Sequence, residues 1–343
     1  MSAIAESVLA QPVIDGHCHP MSAEQGADER VLFEAPAAGE STHTLLESMI
    51  FPRAERLAGK DLLEEARVVG QVVDFGWPSD GLTMSEYSKR MSFPIKGVYR
   101  LEAIADDAVG SGERDVRGLG ELVADRVEAV LGERDWVGLK SIAAYETGLD
   151  IGPIDWKSAQ AELDAGLSRA AAPDLNRYLL IAGLRRLAEM EGVVQFHTGI
   201  GGRALGRDHE DPWALLPLLE LSWMRSARVV LLHAGFPHIT AAGRLTALFQ
   251  NVYCDVSILM PFSFPSNEAR MAELLAFAPP EKLLFGSDGC CKPIRYWAGV
   301  VVAKEALASL AQRAVDARWL TEREALQLVG GILEEHARSL YGM

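Results

Sequence analysis

The sequence predicts a (β/α)8 TIM barrel, and three observations carry that prediction. Eight short β-rich runs are spread along the chain, amphipathic helical segments alternate with them, and the chemically specialised polar residues fall at the C-terminal ends of the runs. The 343 residues offer room for two average domains or one large α/β barrel. No internal repeat and no Pro/Gly/Ser-rich linker divides them, so residues 1–343 read as a single domain.

The first run is "VIDGHCH" at 13–19. Side chains two apart on a strand point to one side, so His17 and His19 project together with Asp15 below them, while Cys18 faces the other way. "RVVGQVVDFGW" at 67–77 and "GVYRLEAIA" from Gly97 are the second and third runs. "DWVGLKSIAAY" at 135–145 is the fourth and carries Lys140; "GVVQFHTG" at 192–199 is the fifth and ends on His197. "ARVVLLHAG" at 227–235 ends on His233, "NVYCDVS" spans 251–257, and "KLLFGSDG" at 282–289 ends on Asp288. Between them, "DVRGLGELVADRVEAVL", "DLNRYLLIAGLRRLAEME", "PWALLPLLELSWMRS" and "ITAAGRLTALFQ" place apolar residues at three- and four-residue spacing, as helices packed on a parallel sheet require. Two connections exceed the usual length, 21–66 after strand one and 146–174 after strand four; long excursions after barrel strands usually cover the active site.

Composition narrows the function. Nearly half the residues are hydrophobic and 24% are charged, an ordinary globular balance. Acidic residues outnumber basic ones 48 to 33, a formal charge of −15, which disfavours nucleic acid or an anionic membrane as partner and leaves a small-molecule substrate. Cys18, Cys254, Cys290 and Cys291 form no disulfide framework and no CxxC pair. The first twelve residues lack the basic and apolar regions of a secretory signal, and no apolar run reaches the roughly 20 residues that span a bilayer. A soluble cytoplasmic protein is expected.

In a barrel, the strand ends converge on one mouth. Four histidines, one carboxylate and Lys140 there match the nitrogen and oxygen donors favoured by Zn²⁺ and similar divalent ions. A lone histidine in a run such as "VVLLHAG" is more often a satisfied buried side chain than a ligand; four at the ends of the right strands make that account poor.

This constellation resembles the amidohydrolase superfamily: the strand-one HxH, the "FHTG" and "LLHAG" histidines and the "GSD" aspartate follow its order. Within it the chain is most similar to the amidohydrolase-related branch, and more narrowly to the amidohydrolase portion of nodulin- and fluG-type glutamine-synthetase fusions. "GVYRLEAIAD", "LKSIAAYETGLDI", "NVYCDVSILMPFS" and "KLLFGSDGCCKPIRYWAG" carry that narrower likeness. No synthetase half is present, so a stand-alone version is expected. Two departures stand out. "CCKPIRY" lacks the acidic residue expected near Ile294 or Arg295, and "EHARSLY" has His336 where relatives tend to have Asn. The first adjoins the site and bears on substrate choice; the second reads as structural.

The resemblance implies one metal at His17, His19 and Asp288 and a second at His197 and His233. It implies either a carbamylated Lys140 bridging both ions or an unmodified lysine facing substrate or Asp288, and one ion or two. Zinc is the first expectation, with Mn and Fe as alternatives. Asp288 and His233 are the catalytic candidates: the carboxylate takes a proton from metal-activated water and delivers it to the leaving amine, and an imidazole polarises the carbonyl. Read from the residues themselves, Arg203, on the Gly-rich stretch after His197, suits a substrate carboxylate, and Tyr145 is either a substrate hydrogen-bonder above Lys140 or a packed aromatic.

Several residues have blander readings. His43, His209 and His238 read as loop residues, with His209 near enough to the fifth run to reach substrate. Asp15 reads as a backbone hydrogen-bonder able to orient a ligand histidine, Arg100 and Glu102 as an internal ion pair on strand three, and Asp74 and Asp255 as strand-end caps. Vicinal Cys290 and Cys291 read as small residues in a turn, with redox sensitivity or soft-metal binding as the alternative.

Cleavage of an amide C–N bond in a small, carboxylate-bearing substrate such as a γ-glutamyl amide is the leading expectation. The rivals are a one-metal decarboxylase of a small aromatic or unsaturated acid and a non-catalytic metal-binding or signalling barrel. Exposed barrel helices commonly pair, so a homo-oligomer is also expected.

Overall fold

The computed structural model describes residues 2–21, 45–78, 81–201 and 210–343. Eight strands among them form one sheet in chain order: β1 (Val13–Cys18), β2 (Val68–Asp74), β3 (Ile95–Arg100), β4 (Trp136–Ser141), β5 (Val193–Phe196), β6 (Arg228–Leu231), β7 (Val252–Asp255) and β8 (Leu283–Leu284). Sequential parallel order with helices between the strands is the predicted (β/α)8 fold. β1 is buried along its whole length and β5 likewise, so the polar residues they carry, Asp15, His17 and Gln195, lie inside the protein.

Backbone positions gather into two compact units, Met1–Gly97 with Cys254–Met343, and Val98–Tyr253. In the first, β1 pairs with β2 through Val13↔Val68 and Cys18↔Val73. The 24-residue helix Pro293–Asp316 sends Lys304 inward, where its ammonium donates to the carbonyls of Leu9, Gln11 and Ala66 and so gathers the chain just before β1 and β2. Burial pulls the Lys304 pKa down to about 8. His336, in helix His336–Tyr341, sets Nδ1 2.9 Å from the Leu283 carbonyl of β8, which confirms it as a structural residue.

In the second unit, helix Val116–Leu131 starts where Asp115 accepts from the Arg117 amide at 3.0 Å. It buries Val116, Leu119, Val123, Val127 and Val130, a three/four spacing that faces helix Pro173–Glu189 with its own Leu175, Leu179, Leu180, Leu184 and Leu187. Each such burial is worth about 1.5–3 kcal/mol. The long connection after β4 is folded, with helix Trp156–Asp164 and two 3₁₀ turns. It is anchored by Arg169, whose buried guanidinium forks onto Asp106 (2.8 and 2.9 Å) and Glu146 (2.5 and 2.9 Å) and also donates to Asn176.

Three expectations are corrected. The third strand stops at Arg100, because Leu101, Ile104, Ala105 and Ala108 have helical spacing and open helix Leu101–Gly110. Glu102 therefore lies on a helix and not on strand three beside Arg100. "PWALLPLLELSWMRS" is not one helix but a 3₁₀ turn, the four-residue helix Leu216–Leu219 and a second 3₁₀ turn; Pro217 supplies no amide to continue the first turn.

Replacing Arg169 by Met strands the largely buried Glu146 carboxylate. Stability should fall by about 3 kcal/mol, read as a lower urea midpoint with an unchanged denaturant slope.

Candidate metal centre

β1 delivers His17 and His19 to one side, as the strand period requires. Past β8, the Asp288 amide donates to the His17 carbonyl (3.0 Å) and the His19 amide to the Gly289 carbonyl (2.8 Å), so Asp288 is carried to the two imidazoles by backbone pairing. The His17 Nε2 lies 3.2 Å and the His19 Nε2 3.5 Å from Asp288 Oδ1, and the three ligand atoms fall within 4.8 Å of one another. Around a tetrahedral Zn²⁺ with bonds near 2.0–2.1 Å, neighbouring ligand atoms stand about 3.3 Å apart. The chemistry of these donors and their spacing to Asp288 would suit a divalent ion. His17 is fully buried, while the Asp288 side chain keeps 24% of its surface in solvent.

A supporting layer orients these groups. His19 Nδ1 lies 3.3 Å from the Asp74 carbonyl and 3.7 Å from its carboxylate, which turns Nε2 toward Asp288. The Trp77 ring packs edge-on against His19 with centroids 5.0 Å apart and is 41% exposed. Asp15 accepts from the Ser287 amide (2.7 Å) and hydroxyl (2.6 Å), and burial pushes its pKa up to about 6 against those hydrogen bonds. Tyr296 donates from its hydroxyl to the His19 carbonyl at 2.5 Å. A Cβ at Gly286 would strike the Asp255 carboxylate and reach His17 Cβ at 3.2 Å, so only glycine lets β8 pass this close. Cys18 turns away and donates to the Val72 carbonyl, as its position on the strand predicts.

The second unit holds the remaining candidates. His197 Nδ1 and His233 Nε2 are 3.0 Å apart, both rings buried, and the Tyr145 ring lies 4.6 Å from that of His197. Gly201 packs on this group: a Cβ there would run into the Tyr145 hydroxyl and come within 3.0 Å of His197 Nε2. Lys140 is buried on β4, in register with Gln195 of β5. His233 and Ala234 adopt left-handed backbone (φ 66° and 51°), as does Asp288 in the first unit (φ 51°). Such conformations cost L-residues about 1–3 kcal/mol and concentrate at functional positions.

The structure thus brings together His17, His19 and Asp288, and separately His197, His233 and Tyr145. Arg203, His209 and His43 lie outside the described residues. His238 pairs with Glu210 at 3.2 Å. At the position where an acidic residue was expected, Arg295 donates to Cys290 Sγ at 2.9 Å.

The sequence reading weighed Asp74 as a mouth-lining residue or a strand-end cap and left it out of the site, although a carboxylate closing "VVDFG" beside the HxH strand was its signal. It also passed over Trp77, and it misassigned Glu102. The Glu102 carboxylate accepts from Ser141 (2.6 Å) and the Ile142 amide (2.9 Å), bracing the end of β4 just past Lys140. Burial raises its pKa to about 7.

Two imidazoles at the end of β1 and a carboxylate past β8 form a group able to hold a divalent ion on a (β/α)8 barrel. The chain belongs to the amidohydrolase family, whose model matches residues 116–330. Protein fluG of Emericella nidulans is 27% identical over 221 residues, which are 60% of this chain and 25% of that protein, so the chain spans about a quarter of that relative's length. A Lactobacillus casei ATCC 334 protein proposed to be a metal-dependent hydrolase superposes with a TM-score of 0.88 at 22% identity, covering 100% of this chain and 98% of its own. A uronate isomerase from Thermotoga maritima superposes at 0.68 with 13% identity, covering 98% and 96%. At these identities the structural likenesses establish the fold.

Two outcomes test the geometry. Asp74→Ala removes the carboxylate near His19 Nδ1 and the cap on the Gly76 amide but keeps the nearer carbonyl contact, so metal affinity, read by competition with a chelator, should weaken by about tenfold, the low end of the usual range. The folded-state pKa of Glu102 lies above its unfolded value, so its contribution to stability is complete below pH 4.5 and is lost as pH rises through about 7. Glu102→Gln should remove about 3 kcal/mol of that decline between pH 4.5 and 7.5, seen as a flatter profile of unfolding midpoint against pH.

Proposed function

We propose that the protein hydrolyses an amide C–N bond of a small, carboxylate-bearing substrate with a divalent ion held by His17, His19 and Asp288. The observation that carries the reading is the spacing of those three ligand atoms, at 3.2 and 3.5 Å from the shared carboxylate oxygen. A divalent cation bound there lowers the pKa of a coordinated water to about 7 and polarises a carbonyl oxygen.

The chain's own residues supply the rest. Asp288 accepts the proton released at the site and returns it to the departing nitrogen. Asp74 holds the His19 ring, so the ligand nitrogen does not swing away as charge develops. In the second unit, the facing nitrogens of His197 and His233 suit either one shared proton or one shared cation. Lys140 is buried on β4. Carbamylation by CO₂ turns that amine into an oxygen donor, and it is the form we assign when a second ion is bound.

Zinc suits the donor set best, with manganese or iron accepted. We keep His233 as the carbonyl-polarising group and Arg203 and Tyr145, read from their places in the sequence, as substrate contacts; the γ-glutamyl amide as first substrate to try comes from the family resemblance. The free-thiol state of all four cysteines suits a reducing compartment such as the cytoplasm. No helix among the described residues is long and apolar enough to cross a membrane. The same reading expects a small-molecule partner and a homo-oligomer.

The test is metal content per chain by elemental analysis, together with amine and CO₂ release from γ-glutamyl amides, aromatic carboxylates and uronates. Amine release abolished by chelation and lowered about 10²- to 10⁴-fold in Asp288→Asn supports the proposal. Two ions falling to one or none in Lys140→Ala support the carbamate. CO₂ from aromatic acids without amine, or isomerised uronate, replaces hydrolysis with the reaction observed. A protein that takes up no metal on reconstitution overturns it.

A further inference from the structure

Cys290 and Cys291 follow Asp288 by two and three residues and have no part in the chemistry above. Their setting is unlike that of the other two cysteines. Cys18 and Cys254 are wholly buried and spend their thiols on backbone carbonyls of Val72 and Asp255. Cys290 is 5% exposed and Cys291, its neighbour in the chain, is half-buried. The Arg295 guanidinium donates to Cys290 Sγ at 2.9 Å and holds that sulfur in place. The loop is fixed as well: the Cys291 amide donates to the Pro20 carbonyl, and Cys291 bridges to Met21.

The backbone makes a plain turn a poor account of the pair. Cys291 has φ 64°, a conformation that glycine takes without strain and asparagine tolerates. A cysteine there bears a steric cost that a turn alone does not require.

We propose that Cys290 and Cys291 are a redox-active vicinal dithiol, a modification site that takes hydroperoxides and closes to a disulfide beside the metal centre. The half-exposed Cys291 sulfur attacks the peroxide; the O–O bond breaks, an alcohol or water leaves, and Cys291 becomes a sulfenic acid. The adjacent Cys290 sulfur then attacks the Cys291 sulfur; the S–S bond forms, the S–O bond breaks, and hydroxide leaves as water with the Cys290 thiol proton. Two electrons pass from the sulfurs to the peroxide: two thiols and ROOH give one disulfide, ROH and water. Adjacent α-carbons are about 3.8 Å apart, below the usual disulfide range of roughly 4.4–6.8 Å. The ring is therefore strained, the thiols are the resting form, and oxidation is readily reversed.

The reduced, metal-loaded protein is treated with hydrogen peroxide, digested with trypsin and weighed. The expected result is a peptide spanning both cysteines that has lost two hydrogens and regains them with dithiothreitol, while Cys18 and Cys254 stay thiols. Cys290→Ser should trap Cys291 as a sulfenic acid that reacts with dimedone, and Cys291→Ser should abolish the loss. A wild-type peptide that keeps both hydrogens, or gains oxygen on Cys291 while Cys290 remains a thiol, overturns the proposal. None of these readouts depends on which reaction the metal centre performs.

Discussion

The candidate metal cluster depends on one buried carboxylate. Asp15 lies wholly inside the protein and accepts both the amide and the hydroxyl of Ser287, a residue 272 positions away. That tie fixes the end of β8 against β1, and the register it sets puts Asp288 opposite His17 and His19. The balance can be judged by magnitudes. Charge-assisted hydrogen bonds contribute about 1.5–3 kcal/mol each, yet the Asp15 pKa is raised to about 6, so burial outweighs them. The shift from 3.8 corresponds to about 3 kcal/mol of cost on the ionised form at neutral pH. A register held at that cost is one that a neutral, apolar contact would not specify, because apolar packing tolerates a slipped strand more readily than a carboxylate tolerates the loss of its donors.

The shortness of β8 has the same origin. Only Leu283 and Leu284 stay in the ladder. Beyond them the Phe285 amide goes to the Ile332 carbonyl, the Phe285 carbonyl takes the Gly16 amide, and Gly286 lets His17 and Asp255 close in. The chain then turns through left-handed backbone at Asp288 and again at Cys291. A longer strand would have kept Asp288 in the ladder, where successive side chains alternate faces, and would not have aimed it at the histidines. The left-handed residues at the end of β6, His233 and Ala234, mark a similar departure in the second unit.

How much of this was legible in the sequence follows from what each signal depends on. Strand number, order and parallel sense were readable because buried parallel strands are apolar on both faces. The HxH spacing was readable because strand period alone puts His17 and His19 on one side. Asp288 was readable as the carboxylate closing the eighth run, and the resemblance gave it a ligand's role. Strand lengths were overestimated wherever polar residues at a strand end continue in non-strand backbone, as in "GSDG" and "LLHAG". Glu102 was misplaced because "RLEAIADDAV" satisfies a period of two over its first residues and a period near four over its whole length. Asp74 was left out of the site because a strand-end aspartate has two ordinary uses, capping a turn and orienting a ligand. It does both: its Oδ1 accepts the Gly76 amide while its carbonyl faces His19 Nδ1.

The distribution of solvent around the ligand triad selects the proton carrier in the proposed reaction. The side-chain exposures are 1% for His17, 11% for His19 and 24% for Asp288. A ligating imidazole would commit one nitrogen to the ion; His19 has turned its other nitrogen to Asp74 and His17 is buried, so neither histidine is placed to exchange a proton with water. Asp288 has a second carboxylate oxygen and the largest opening to solvent of the three. A group that must take a proton from an attacking water and give it to a leaving nitrogen needs both properties at once. Among these three ligands only Asp288 has them, and its strained backbone is what aims the carboxylate.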